Sequence, residues 1–426
     1  MNPGRKRSGG CSRGQRMMMD TMNQTARSLE RRRWLQSAAG LMILKPQTVF
    51  GTQANSAVEV GLIGCGGRGN WIAPFFPEFT GARVVAVADV IQAHLGSTRD
   101  ALKVDAGRAY YGPEAYRELA SSRLDAIVIE TPTYFHPEQA RAGVEAGRHV
   151  YCAKPVAVDV PGCQSILESG RIAERKNLSF LVDFQTRAMD YYQEAARRVH
   201  RGDIGKPAFA QVYYHANRPS KDKSRPGMDP GLARVLNFYM DRALGGDIIV
   251  EQNIHVIDVA NWLLQAHPVK AFGAGGRTDW SGTDYDAGDA WDHFLVTYWY
   301  PDGVHADFNS HQLTRSAADL CVRCFGQKGC ADTHYFGAVQ VLVDGGEPWV
   351  GTAKGDTFRQ GAINNVKTFI EAIRAGKRVD NVEESVRSNL TAILGRTAAY
   401  AGREVTWEEM MRSEERLEPG DLKLRW

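Results

Sequence analysis

Three side chains of this 426-residue sequence have types suited to proton transfer. Glu251 and His255 are four positions apart, and on a helix that spacing puts both side chains on one face. A carboxylate beside an imidazole can fix the tautomer of the ring and stabilise its charged form. Lys154 follows a short apolar run, and its ammonium group can polarise an oxygen or relay a proton. The three residues therefore predict general acid–base chemistry if the fold brings them together.

A glycine-rich turn gives the signal of a nucleotide site. Gly64, Gly66 and Gly69 have the spacing G-x-G-x-x-G and directly follow an apolar run that predicts a strand. A second predicted strand ends at Asp89, 20 residues beyond the last of these glycines. A strand before the turn and an acid at this distance are typical of a dinucleotide-binding site.

Each position of this turn has a physical reason. Gly64 permits the tight turn, Gly66 lets the backbone approach a pyrophosphate, and Gly69 allows close packing of helix on strand. The backbone N–H groups around Gly67 and Arg68 are expected to face the phosphates. The sequence therefore predicts that all five residues bind a cofactor.

The acid at the end of the second strand indicates which dinucleotide is bound. Asp89 is expected to accept hydrogen bonds from the adenosine ribose hydroxyls. A 2′-phosphate would lie against this carboxylate, and the next three residues offer no arginine to receive it. NAD is therefore favoured over NADP, and tight binding that retains it on purification is expected. Pro74 and Pro77 fall where the first helix should run, so that helix is predicted to be short or broken.

Strands and helices continue to alternate after the turn, which predicts a doubly wound α/β domain with a parallel sheet. Ligands of such sheets lie at the carboxyl ends of the strands. Thr131 and Pro132 follow one predicted strand, His136 begins the next helix, and Lys154 follows another strand. These four residues are therefore expected in the cofactor site as well.

Composition and charge narrow the class of protein. Hydrophobic residues make up 43% of the chain and charged residues 24%, as in soluble globular proteins. The first 57 residues carry ten Lys and Arg against two acids, so the remaining chain is mildly acidic despite the net charge of +3. No basic stripe interleaved with aromatic residues is present there, and nucleic acid is not an expected partner.

The amino-terminal segment resembles a twin-arginine export signal. Arg31 and Arg32 precede Trp34 and Leu35, and a short apolar run follows. A run of about eight residues is far below the roughly 20 that span a bilayer, so no permanent membrane span is expected. The segment predicts recognition by the twin-arginine machinery and a periplasmic or equivalent location. The protein would stay in the cytoplasm if the signal were not used.

These motifs together resemble the Gfo/Idh/MocA oxidoreductase family, named for glucose-fructose oxidoreductase and inositol dehydrogenase. The likeness rests on the glycine-rich turn, Thr131-Pro132, His136-Pro137, Lys154-Pro155 and the run from Glu251 to His255, and it spans most of residues 58–405. It implies a Rossmann domain followed by an α/β domain with a mostly antiparallel, open-faced sheet. The predicted boundaries are an export segment and linker over 1–57, a Rossmann domain over 58–184, a substrate and oligomerisation domain over 185–405, and a tail over 406–426.

The resemblance also implies a reaction, namely NAD-dependent interconversion of a secondary alcohol and a ketone on a sugar, inositol or related polyol. In that scheme His255 is the general acid/base, Lys154 polarises the oxygen and relays the proton, and Glu251 orients the imidazole. Two departures from the family pattern stand out. The usual Glu-Lys-Pro has Ala153 at its first position, and the usual Asp-x-x-x-His begins with Glu251.

Two other functions remain open at this stage. The first is an NAD-dependent glycosidase that works by transient oxidation and elimination, and the second is a non-catalytic dinucleotide-binding sensor.

An open sheet face needs a partner surface to cover it, so a homo-oligomer is expected. Cys321 and Cys324 would face opposite sides of a strand, which favours buried thiols and no metal site. Polar and aromatic residues of the second sheet, such as Trp291, Trp299 and His311, are expected in the core or an interface.

Overall fold

The computed structural model describes residues 57–426 except positions 220, 314, 316, 353, 354, 421 and 423–426. The predicted export signal therefore lies outside the described residues. No helix in the described part of the chain is long and apolar enough to cross a membrane.

The first sheet has six parallel strands in the order β3-β2-β1-β4-β5-β6. Their bounds are β1 Glu59–Ile63, β2 Arg83–Asp89, β3 Ala109–Tyr111, β4 Ala126–Ile129, β5 His149–Ala153 and β6 Phe180–Asp183. The central strands are buried along almost their whole length, as expected for strands that helices cover on both faces. The predicted doubly wound parallel sheet is confirmed.

Six α-helices lie between these strands, and the one after β4 begins at His136, as expected. They are α1 Gly67–Ile72, α2 Phe75–Thr80, α3 Gln92–Leu102, α4 Ala115–Ser121, α5 His136–Glu145 and α6 Val160–Arg175. The first predicted helix is indeed broken, because α1 ends before Pro74 and a separate short helix begins at Phe75.

The second sheet has nine strands in the order β14-β13-β12-β11-β7-β10-β9-β8-β15 and is antiparallel except where β7 meets β10. Its strands are β7 Pro207–Asn217, β8 Lys270–Gly276, β9 His293–Trp299, β10 His305–Leu313, β11 Asp319–Gly326, β12 Gly329–His334, β13 Val339–Val343, β14 Trp349–Gly351 and β15 Val405–Thr406. Buried and partly exposed residues alternate along β9 and β10. One face is therefore covered and the other is open, as predicted.

Eight further α-helices lie in the described part of the chain. They are α7 Asp190–His200, α8 Pro230–Leu236, α9 Arg242–Gly245, α10 Ile248–Glu251, α11 Ile254–Leu264, α12 Thr357–Arg374, α13 Val382–Ala401 and α14 Trp407–Met411. Two of these helices, α12 and α13, return to pack on the first domain. Phe369 of α12 packs on Tyr151 of β5 with the ring centres 5.5 Å apart, and α13 packs on α6.

Glu251 and His255 do not lie on one continuous helix, as their four-residue spacing had suggested. The chain forms α10 and α11 with a break at Gln252 and Asn253. At the break the backbone N–H of Asn253 donates to the carbonyl oxygen of Ile248, five residues back, at 2.9 Å. This wider turn shifts the helical phase between Glu251 and His255.

Candidate cofactor pocket and active site

A cavity of about 440 Å³ lies at the carboxyl ends of the first sheet and reaches the second domain. This volume is within the usual range for a small-molecule site. Eleven of the twelve residues singled out in the sequence line it: Gly64, Gly66, Gly67, Arg68, Asp89, Thr131, Pro132, His136, Lys154, Glu251 and His255. The twelfth, Gly69, lies beneath the turn.

The glycine-rich turn has the geometry that its motif predicts. Gly64 has a φ of +94°, which is accessible to glycine at little cost. A β-carbon on Gly69 would lie 1.9 Å from the carbonyl oxygen of Gly64, so only glycine allows this approach of helix and turn. Gly66 and Gly67 both line the cavity: a β-carbon on Gly67 would meet no heavy atom within 4 Å, and one on Gly66 would meet only the ring of His94, at 3.8 Å. The turn can therefore admit a pyrophosphate close to the backbone, and the described residues fit a dinucleotide.

Asp89 lies at the end of β2, where an adenosine ribose is expected. Its carboxylate oxygens accept hydrogen bonds from the backbone N–H groups of Cys65 and Ile91, both at 2.6 Å. Each oxygen keeps a second lone pair for a ribose hydroxyl. Asp89 thus also holds the glycine-rich turn against β2, which the sequence did not indicate.

Thr131 and His136 connect the loops at the nicotinamide half of the site. The two ring nitrogens of His136 lie 2.8 Å from the carbonyl oxygen of Thr131 and 2.7 Å from that of Pro155. The hydroxyl of Thr131 donates to Gln139 at 2.7 Å. Since His136 is buried and its nitrogens face backbone oxygens, its contribution to the cofactor site is to hold these two loops together.

Lys154 and Glu251 form a nearly buried ion pair across the two domains. The ammonium group of Lys154 donates to the backbone oxygen of Glu251 at 2.6 Å and lies 3.5 Å from its Oε1. The hydroxyl of Thr133 donates to the Oε2 of Glu251 at 3.1 Å. Burial raises the pKa of Glu251 above its usual range, while Lys154 and Thr133 oppose that rise. The amine is therefore held in one position at the cavity wall.

His255 lines the same cavity from the first turn of α11. Burial, together with the nearby cations Lys154 and Arg68, lowers the pKa of His255 well below 6.5. Its Nδ1 has no hydrogen-bond partner among the described residues, and its ring packs against the edge of Tyr335 at 5.3 Å. The ring is neutral at pH 7, the form needed to accept a proton.

The structure does not show the expected contact between Glu251 and His255. The break between α10 and α11 changes the phase of the two positions, and Glu251 bonds to Lys154 and Thr133 instead. Glu251 therefore orients the amine and leaves the imidazole free.

Asp258 lies on α11, one turn beyond His255, and its side chain is buried. It accepts two hydrogen bonds from Arg187 and one from Ser388 in the interior.

The polar residues of the second sheet do not join the site. His215 bonds to Asn309 at 2.9 Å and stacks on His311 on the open face, and these residues do not line the cavity. Cys321 and Cys324 are buried free thiols, as predicted.

A buried ionic cluster beside Lys154 was missed in the sequence. The guanidinium of Arg68 hydrogen-bonds to Asp183, 115 positions away, and its Nε lies 3.4 Å from the carboxyl of Glu130. Burial raises the pKa of Glu130 to about 8. The only signal of this cluster in the sequence is that Glu130 and Asp183 each follow a short apolar run.

Glu130 makes stability depend on pH in a defined direction. A carboxyl group with a pKa near 8 in the folded state and near 4.5 when unfolded keeps its proton on folding between these values. The free energy of unfolding of the wild type is therefore expected to fall as pH rises from 4.5 to 8, by up to about 1.4 kcal/mol per pH unit. A glutamine cannot ionise, so Glu130→Gln should lose this contribution to the pH dependence of stability. Urea unfolding of the wild type and the variant between pH 4.5 and 8 measures the difference. If the free energies of unfolding of the two proteins changed with pH in the same way, the assignment would be contradicted.

Comparisons with known proteins agree with this geometry. Residues 58–184 match the description "Oxidoreductase family, NAD-binding Rossmann fold", and residues 192–332 match "GFO/IDH/MocA C-terminal domain". The two matches together cover more than half of the chain.

Individual relatives are similar to this chain at low sequence identity. Inositol 2-dehydrogenase of Rhizobium meliloti (strain 1021) is 25% identical over 330 residues, 76% of this chain and 90% of that protein. Scyllo-inositol dehydrogenase from Lactobacillus casei, solved with NAD(H) and scyllo-inositol, has a TM-score of 0.65 at 20% identity and covers 83% of this chain and 99% of its own. Aldose-aldose oxidoreductase from Caulobacter crescentus has a TM-score of 0.66 at 18% identity and covers 82% and 99%. These two structures share the fold.

Proposed function

This chain belongs to the Gfo/Idh/MocA family of NAD-binding oxidoreductases, and from that premise we propose that it interconverts a secondary alcohol and a ketone on a sugar, inositol or related polyol. The observation that carries the proposal is the convergence of Lys154, Glu251 and His255 on one cavity with the glycine-rich turn. An inositol dehydrogenase among its relatives supports the substrate class.

Bound NAD would accept the hydride from the carbinol carbon or return it to the ketone. The hydroxyl proton must leave in the same step, and a neutral imidazole within hydrogen-bond reach can take it. His255 fits this role, because its ring lines the cavity near Lys154 and its Nδ1 has no partner among the described residues.

Lys154 is positioned to bind the oxygen of the substrate. Two contacts to Glu251 hold the ammonium group, and an ammonium has three N–H donors. The remaining donor can hydrogen-bond the alcohol oxygen and stabilise the negative charge that develops on it. Glu251 acts through Lys154, since its carboxylate positions the amine and balances its charge.

The proposal is tested by incubating the purified protein with NAD and a panel of inositols, sugars and glycosides. Absorbance at 340 nm and the release of free sugar are followed in the same tube. Formation of NADH with one class of polyol is the expected result. Free sugar without net NADH would instead indicate an oxidation–elimination glycosidase, and neither signal with NAD tightly bound would indicate a sensor.

The open face of the second sheet is proposed to bind a second copy of this chain. Large apolar side chains lie exposed on it; for example, Phe272 keeps 47% of its surface accessible to solvent and Leu295 keeps 50%. Light scattering should give a multiple of the 47.1 kDa chain mass, and Leu295→Asp should reduce that mass. Ser97→Asp, on the outer surface of α3, is the control that should leave the mass unchanged. A monomeric wild type would contradict the proposal.

Export by the twin-arginine machinery is proposed from Arg31 and Arg32. Replacing both with Lys should retain the protein in the cytoplasm, as cell fractionation would detect. Equal distribution of the variant and the wild type would contradict it.

A further inference from the structure

The carboxyl ends of β4, β5 and β6 carry a row of residues that the proposed proton chemistry does not use. The parallel register pairs Ile129 with Cys152, so Glu130 follows β4 at the level of Ala153, and it pairs Ala153 with Asp183. The middle residue has only a methyl group, while both neighbours carry carboxyl groups. Arg68 lies against both of them: its Nε is 3.4 Å from the Oε2 of Glu130, without the geometry of a hydrogen bond, and its guanidinium hydrogen-bonds to Asp183.

The two carboxyl groups of this row differ in the number of hydrogen bonds that they accept. Asp183 accepts hydrogen bonds from Arg68, from Gln185 at 2.7 Å and from Asn365 at 2.8 Å. Glu130 has a fully buried side chain, and neither of its carboxyl oxygens has a hydrogen-bond partner among the described residues. Buried acceptors without donors are rare in folded proteins, and in a binding cavity they indicate a missing donor.

The position of Glu130 identifies which part of the cofactor can supply that donor. In a doubly wound sheet the two halves of a dinucleotide lie on opposite sides of the point where strand order reverses. Asp89, on β2, lies on one side of β1, and Glu130, at the end of β4, lies on the other beside Lys154. Glu130 therefore lines the nicotinamide half of the cavity. The N–H donors of a nicotinamide are those of its carboxamide.

We propose that Glu130 accepts a hydrogen bond from the carboxamide N–H of the bound nicotinamide, with Arg68, which Asp183 holds in place, beside the carboxyl group at the end of β4. A carboxyl group keeps an acceptor oxygen whether ionised or protonated, so the contact does not depend on its charge. The small side chain at Ala153 leaves the row open between its two acidic neighbours. The inference concerns cofactor binding and does not depend on the identity of the substrate.

A cycle of protein and cofactor variants tests this contact without turnover. Calorimetry measures the affinities of the wild type, Glu130→Leu and Glu130→Gln for NAD and for 3-acetylpyridine adenine dinucleotide, in which a methyl replaces the amide nitrogen. The wild type should bind NAD more tightly than the analogue by on the order of 10-fold. Glu130→Leu should bind both equally. Glu130→Gln should keep most of the preference, because its amide oxygen is still an acceptor.

Two controls separate this role from a general effect on the pocket. Glu138→Leu removes another carboxylate of the same cavity wall and should keep the wild-type preference. ADP-ribose, which lacks the nicotinamide, should bind all four proteins alike. A wild-type preference in Glu130→Leu would overturn the proposal. Parallel losses of NAD and ADP-ribose affinity would also overturn it, because Glu130 would then only support the turn through Arg68.

Discussion

Lys154→Met is expected to lower kcat by about 10²- to 10⁴-fold, the range typical of losing a group that assists proton transfer. The ammonium group lies at the cavity wall and is held there by Glu251, 3.5 Å away. A methionine has similar length but no charge and no N–H donor. Steady-state kinetics on the polyol substrate and calorimetry with NAD measure the effect, and NAD affinity should change by less than about 10-fold.

The control for this variant is Lys270→Met, which removes a surface ion pair with Glu404 at the edge of the second sheet. It should leave kcat unchanged, since exposed pairs contribute at most about 1 kcal/mol to stability. If Lys154→Met retained kcat and lost NAD affinity, Lys154 would be a cofactor ligand only. The proposed role in proton transfer would then be wrong.

Gly69→Ala is expected to destabilise the fold by about 3 kcal/mol or more and to abolish NAD binding. The added β-carbon would lie 1.9 Å from the carbonyl oxygen of Gly64. Because that atom belongs to the backbone of the turn, the clash can be relieved only by moving α1 away from β1. Urea unfolding without cofactor and calorimetry with NAD measure the two effects.

Gly67→Ala is the matched control, two residues away in the same helix. No heavy atom lies within 4 Å of the β-carbon that it would add, and alanine is the better helix former. Its stability in the absence of cofactor should equal or exceed that of the wild type. Equal stabilities of the two alanine variants would show that the close approach at Gly69 is not required.

Much of the first domain could be predicted because its signals are local. The spacing of Gly64, Gly66 and Gly69, the acid at Asp89 and the alternation of strands and helices are all properties of short segments. The break that Pro74 causes in the first helix has the same origin. Lys154 and His136 were located by the rule that ligands lie at the carboxyl ends of parallel strands.

The parts that could not be predicted depend on contacts between distant segments. The four-residue spacing of Glu251 and His255 suggested a direct pair, but the break after Glu251 and the ion pair with Lys154, 97 residues away, determine where the carboxylate points. The cluster of Arg68 with Asp183 also joins residues far apart in the chain. Helical spacing carries no information about such partners.

The strand order of the second sheet also could not be predicted from local sequence. The alternation along β9 and β10 predicted one covered and one open face. It did not indicate that β7 lies beside β10, nearly 100 residues later, and so forms the middle of the sheet. Strand order depends on which edges the connecting helices leave free, and that is a property of the whole chain.

The central claim is that this cavity transfers a hydride between a polyol carbon and the nicotinamide. It is tested most directly with a polyol deuterated at its carbinol carbon, by mass spectrometry of the nicotinamide recovered from the protein. We predict that deuterium appears in the nicotinamide, that Lys154→Met reduces its rate of appearance by at least about 10²-fold, and that Lys270→Met does not. Consumption of the polyol with no deuterium in the nicotinamide would contradict the account.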